Sequence, residues 1–218
     1  MDFRWAIFVE GLPALLKGAW ITAQLAVISM ALGVVIGLFG GLGRVARNRP
    51  IQWVCALYVI SMRGIPVLVT LIFLYYGLPS VGIQLSAYTV GILGLSITNG
   101  AYVTEIFRAG IQSIDRGQMQ AARALGMSYV LAMRRIILPQ TVRRILPPLA
   151  NEAVTLLKST SLVSTIAISE LLRSGLEIMT WKANTFSPFA GVALIYLVMT
   201  LPLVALVSHL ERRFKVEA

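Results

Sequence analysis

The sequence predicts an all-α integral membrane protein of five transmembrane helices, and three observations carry that prediction. Of the 218 residues, 57% are hydrophobic and 13% charged, against roughly 45–50% apolar and about 25% charged in an ordinary soluble domain. Long stretches contain no charge at all. The cations that remain, 19 Lys and Arg against 9 Asp and Glu for a net charge of +10, are sorted unequally between alternate loops. A soluble nucleic-acid binder would share the basicity but would need polar surface, so no nucleic-acid partner is expected. A disordered chain would not be this apolar. The single cysteine, Cys55, cannot close an intrachain disulfide, and the single histidine, His209, cannot build a multi-histidine metal site. Neither a metal nor a cofactor is therefore expected. The N-terminus does not read as a signal peptide, because it carries Asp2 and Glu10 and its apolar run is too long.

The first span is Gly18 to Gly43, 26 residues without a charge. At about 1.5 Å per residue it reaches about 39 Å, enough to cross a hydrocarbon core of about 30 Å with some tilt. Gly33, Gly37 and Gly41 lie four apart and form a flat stripe suited to close helix packing. That stripe fits packing within one bundle better than a dedicated dimer face. From Gly64 to Thr104, 41 residues are uncharged, with a turn signal at Gly77-Leu-Pro-Ser-Val-Gly82. Leu85–Thr104 is the third span. Gly64–Tyr76 is too short to cross alone and must borrow residues from Ile51 onward, which makes a second span over 51–76 with Arg63 near its centre. Proline removes a helical donor and disfavours helix before it, so a break is expected at Arg63-Gly-Ile-Pro66. The fourth span, 145–169, contains Glu152 and Lys158. The fifth, 186–208, is uncharged, and Pro202 is expected to kink it. All five belong to one transmembrane domain over residues 1–218.

Positive charge orients the chain. Thirteen cations fall on one side: Arg44, Arg47 and Arg49, seven arginines between Arg108 and Arg144, and Arg212, Arg213 and Lys215. Four fall on the other: Arg4, Lys17, Arg173 and Lys182. The bias puts the N-terminus outside and the C-terminus in the cytoplasm, as a multi-pass protein. The long non-membrane stretch, 114–140, is then cytoplasmic. Asp115 followed by Gln118 suggests a helix start, Gly126 a helix end, and Ser128 the cap of a second helix that stops at Pro139. Between the first two lie small residues, which would let another protein's surface come close. Its arginines would equally suit anionic headgroups of membrane lipid.

Gln120-Ala-Ala122, three residues, Gly126, nine residues and Ile136-Ile-Leu-Pro139 resemble the EAA motif of ABC-importer permeases. Gln120 stands where that motif has glutamate, which loses a charge but keeps an acceptor. Gly100 to Ile114, Arg63-Gly-Ile-Pro66 and Leu157-Lys-Ser-Thr-Ser-Leu162 are similar to segments of polar amino-acid permeases, with Ser159 at a position where aspartate is common. The resemblance runs from about residue 11 to the C-terminus. It implies the type I importer permease fold in a bacterial inner (cytoplasmic) membrane. It also implies that Gln120, Ala121, Ala122 and Gly126 form a coupling helix against an ATP-binding subunit. The partners it implies are two ATP-binding subunits, a second permease subunit (identical or homologous), a solute-binding protein and a polar or charged amino-acid substrate. No G-x-x-x-x-G-K-[ST] loop occurs in the chain, so the reading is a transport subunit with no catalytic residue of its own.

Polar residues inside spans are functional candidates, since a charge at mid-bilayer costs about 2.5–3.5 kcal/mol on insertion scales. Arg63 and Lys158 balance Glu105 and Glu152, which suggests mutual pairing or a wet cavity. On a helical projection Asn151, Glu152, Thr155, Lys158 and Ser159 fall within an arc of about 120°. Thr98, Asn99, Tyr102 and Glu105 repeat the pattern on the third span. Two such stripes either hold the bundle together by hydrogen bonds or line a substrate pathway. An amino-acid zwitterion needs an anion for its ammonium group and donors for its carboxylate. Glu152 suits the first; Asn99, Thr155 and Arg63 suit the second, and Ser159 shares their face. Glu105 with Arg108 reads as a pair at the cytoplasmic edge. Glu170 and Glu177 read as solvated loop charges or contacts for a binding protein. Set against ATP-driven import by alternating access stands a stand-alone, ion-coupled secondary amino-acid transporter, which the in-span charges also permit.

Overall fold

The computed structural model describes residues 3–214; Asp2 and Lys215 lie outside them. The elements are α1 (Trp5–Arg44), α2 (Arg49–Gly64), α3 (Val67–Ile72), α4 (Ala87–Gln112), α5 (Arg116–Ala124), α6 (Tyr129–Ala132), α7 (Leu138–Ser159), α8 (Leu171–Lys182) and α9 (Phe186–Arg213). Helices α1, α4 and α9 are long and apolar enough to cross a membrane. Two bent pairs raise the number to five if each is one span.

The first bent pair turns by 99° between Gly64 and Val67, at the Arg63–Pro66 signal. Ile65 is extended there, as a residue before proline prefers. The second pair joins Tyr129–Ile166 to α8 with a bend of 49°. Its first half is helical throughout: Pro139 lies in the first turn of α7 and does not stop the chain, because a π turn over Met133–Ile137 carries the helix into it. The π turn shifts the hydrogen-bond register just before Pro139, which accommodates the donor that proline lacks. Helix α1 begins at Trp5, thirteen residues before the uncharged run. A charge marks where a helix leaves the apolar layer and does not end it; Glu10 continues the helix and takes an ion pair from Lys182 at 2.7 Å. Pro202 sits inside one continuous α9.

The glycine stripe of α1 is the seat of α4. A Cβ at Gly33 would overlap the Asn99 amide oxygen, and one at Gly37 would overlap Val103. The missing side chains on α1 let the Asn99 and Val103 side chains of α4 lie directly against its backbone. A second core, of Ile7, Leu15, Leu171, Ile178 and Val192, ties α1, α8 and α9 together. Ile114, Met133 and Ile137 hold the coupling segment to the end of the bundle. On α2, Trp53, Val54, Leu57 and Ile60 are exposed apolar side chains, as a lipid-facing helix requires.

Glu170 overturns the loop reading given to it. It is fully buried and caps α8, accepting from the backbone N–H groups of Leu172 at 2.9 Å and Arg173 at 2.8 Å. The Tyr196 hydroxyl donates to it from α9 at 3.0 Å. Thr22 of α1 accepts from the Leu171 N–H beside it at 3.2 Å. Helix N-terminal donors and a phenol take the place of water around this carboxylate.

Candidate functional site

Helices α4 and α7 meet along their polar stripes. Asn99 and Thr98 are almost fully buried, 3% exposed each, and the Asn99 Nδ2 donates to Glu152 Oε1 at 2.9 Å. Around this bond lies a cavity of about 160 Å³, whose polar lining is Thr98, Asn99, Tyr102, Glu152, Thr155 and Ser159. Val67, the first residue after the break in the second span, closes one side. Thr155 and Ser159 hydroxyls donate to the carbonyls of Asn151 and Thr155, one turn back, which leaves their oxygen lone pairs free to accept. Thr98 Oγ1 is buried without a hydrogen-bond partner. A buried hydroxyl left in that condition carries an unpaid desolvation cost that a bound polar molecule would remove.

Four of the five residues expected to meet substrate, Asn99, Glu152, Thr155 and Ser159, thus line one cavity. Arg63 does not. It lines a neighbouring cavity of about 450 Å³ that extends toward Ser113 and Arg144 at the coupling-segment end. Its guanidinium lies 5.2 Å from the centroid of the Tyr102 ring, and no ion pair within 4.0 Å joins it to Glu152 among the described residues. Among the described residues Glu105 pairs with Arg108, as its spacing predicts, and not with Arg63 or Lys158. That carboxylate takes Arg108 at 2.7 Å and Arg44 at 3.3 Å, because Arg108 is one turn away and the end of α1 delivers Arg44 alongside. Lys158 and Asn151 face outward and exposed. Thr98 lines the same cavity; it shares the helical arc of Asn99, and its unpartnered hydroxyl sets it apart from Thr104, which is as buried but donates to Gly100 O at 2.7 Å.

The segment 114–140 is built by short-range rules. Asp115 caps α5 by accepting from the Gly117 N–H at 2.6 Å. Gly126 ends it in the left-handed conformation, φ +82. The Gly126 N–H donates to Arg123 O at 3.0 Å and the Met127 N–H to Ala122 O at 3.1 Å, the paired bonds of a Schellman ending. Ser128 then caps α6 by accepting from the Leu131 N–H. Gln120, Ala121 and Gly126 are exposed on this turn. Ala122 is 1% exposed and faces the bundle, so it seats the helix against its own chain and leaves outward contact to its neighbours. Leu125, 82% exposed, is an apolar tip that the motif's letters do not single out.

Comparison with known proteins agrees with this architecture. Residues 33–216 match the family described as binding-protein-dependent transport system inner membrane component. The glutamine transport system permease protein of Escherichia coli is 35% identical over 218 residues, covering 99% of this chain and 100% of its own. The arginine transport system permease protein of Bacillus subtilis is 33% identical over 216 residues, covering 99% of each. The crystal structure of an amino acid ABC transporter with histidines superposes with a TM-score of 0.91 at 39% identity, over 98% of this chain and 100% of that one. A methionine ABC transporter in an inward-facing conformation shares the fold at a TM-score of 0.78 and 18% identity, over 92% of this chain and 95% of that one. Between an ABC-type importer and a stand-alone ion-coupled carrier, these matches decide for the first. The chain belongs to the family of binding-protein-dependent transport system inner membrane components, as a permease subunit of the ABC-importer class.

Proposed function

We propose that this permease carries a polar amino acid between α4 and α7, past Asn99, Glu152, Thr155 and Ser159. It does so in a complex with two ATP-binding subunits, a second permease subunit and a solute-binding protein. The observation that carries the reading is the cavity itself: a buried Asn99 bonded to a half-buried Glu152, beside an unpartnered Thr98 hydroxyl, inside an apolar bundle. Glu152 supplies the anion that an ammonium group requires, and Thr98 Oγ1 supplies a donor for a carboxylate. The names of the relatives, glutamine and arginine permeases among them, favour a polar or charged substrate. At about 160 Å³ the cavity is smaller than the roughly 300–1,000 Å³ of a complete ligand pocket, so a facing permease subunit would supply the rest. The side bearing α5 is cytoplasmic in this reading, with Gln120, Ala121 and Gly126 turned to the ATP-binding subunit.

The test is uptake into vesicles holding the whole transporter. A hydrogen bond to a charged group is worth about 1.5–3 kcal/mol, so Glu152→Gln and Asn99→Ala are each expected to cut ATP-driven uptake about tenfold or more. Co-purification of the ATP-binding subunits should be unaffected. Full uptake in both variants would refute the site.

A further inference from the structure

The two cavities on the inner face of the chain share two lining residues, Tyr102 and Glu152. On one side of Tyr102 lies the small polar chamber with Asn99 and Ser159; on the other lies the larger space leading to Ser113 and Arg144 beside the coupling segment. Arg63 and Val67 straddle the break in the second span, and each faces a different cavity. That break is open. Residues Arg63 to Pro66 are all exposed, and a Cβ on Gly64 would meet nothing within 4 Å. The Arg63 guanidinium makes no hydrogen bond or ion pair within 4.0 Å among the described residues; it stands 5.2 Å from the Tyr102 ring centroid, in the cavity where the Glu152 carboxylate also attracts it. The helices on either side are fixed more firmly, since the Tyr58 hydroxyl donates to Ile97 O at 2.6 Å and pins α2 to α4.

We propose that Tyr102, held by the Arg63 guanidinium on its ring, is the partition between the substrate chamber and the cytoplasmic-side cavity. Both act as positioning residues that set when the chamber opens toward the coupling segment. The proposal rests on the reading of the chamber as the substrate site. The phenol is a flat plate that borders both cavities together with Glu152, on a helix packed closely against the glycines of α1. Rotation of the ring would open the partition. A guanidinium on an aromatic face is attracted by the ring quadrupole, so Arg63, on the exposed segment at the break, resists that rotation. The hydroxyl of Tyr102 makes no hydrogen bond among the described residues and is not needed for the plate.

The test reads access to the chamber directly. In the complete transporter, with Cys55 replaced by serine and Ser159→Cys as reporter, inside-out vesicles are treated with a membrane-impermeant thiol reagent without ATP. The modification rate of residue 159 is then measured. Tyr102→Ala is expected to raise that rate about tenfold or more and Arg63→Gln about 2- to 30-fold, the range of a lost cation–π contact. Tyr102→Phe keeps the plate and Arg63→Lys keeps a cation, so both should stay within about threefold of the parent. Equal rates in the parent, Tyr102→Ala and Arg63→Gln would overturn the partition, as would Tyr102→Phe behaving like Tyr102→Ala. Labelling requires no bound substrate, so a failed partition is distinguishable from a failed site, which Glu152→Gln uptake reports separately.

Discussion

Glu170 shows how far one residue's role depends on partners remote in sequence. Its carboxylate joins three helices, through the α8 backbone, Tyr196 of α9 and, one residue on, Thr22 of α1. No cation is within ion-pairing distance of it among the described residues. Removing it would strip a helix cap, worth about 0.5–2 kcal/mol, and take from the half-buried Tyr196 hydroxyl its carboxylate partner, a charged hydrogen bond worth about 1.5–3 kcal/mol. Glu170→Ala should therefore lower the unfolding midpoint of the detergent-solubilised protein clearly more than Tyr196→Phe, which loses only one of three hydrogen bonds. Equal midpoints for the two variants would show that the cap contributes nothing. Gly33 makes a different prediction, because its neighbour is the site. A methyl there meets the Asn99 oxygen and must push the amide off Glu152. Gly33→Ala should cut uptake to the level of Asn99→Ala, whereas Gly40→Ala, against the Thr104 side chain, should lose stability without that match. Uptake by Gly33→Ala at the parent rate would mean that Asn99 moves freely.

At the scale of elements, local signals were legible and long-range ones were not. The break at Arg63–Pro66, the Gly126 ending and the Ser128 cap are each set by residues within one or two turns, where proline, left-handed glycine and serine act through backbone geometry. The start of α1 at Trp5 and the passage through Pro139 were not legible, because both depend on what packs alongside: α8 and α9 around Ile7 and Leu15, and the coupling segment around Met133 and Ile137. The site divides the same way. Helical spacing placed Asn99, Glu152, Thr155 and Ser159 on common faces, but it could not tell that Arg63 stacks on Tyr102 or that Ala122 turns inward. The Gly126 ending is a clean test of one element. Nothing lies within 4 Å of a Cβ there, so Gly126→Ala costs only the left-handed conformation, about 1–2 kcal/mol. ATP-driven uptake should fall severalfold, and Gly126→Asn, which tolerates that conformation, should recover most of it. If alanine and asparagine gave the same uptake, α5 would not depend on its ending.

Across the whole molecule, charge placement argues that this chain does not meet lipid all round. Asn151, Thr155 and Lys158 are exposed on one face of α7, and Arg63 is exposed at the nearby break. Each charge left facing hydrocarbon would cost about 2.5–3.5 kcal/mol, while the middle stretches of α2 and α9 turn outward apolar residues such as Leu57, Leu197 and Val198. A polar face beside a small cavity fits a second subunit that would cover both. The intact transporter should accordingly contain two permease subunits, identical or homologous, with their α7 polar faces toward one another. Native mass spectrometry of the purified complex measures that number directly, and cysteines placed at residue 158 of both permease subunits should cross-link with a short bifunctional reagent. A complex with a single permease chain would show that lipid or water covers this face. Two permeases without cross-linking at 158 would place their interface on another side.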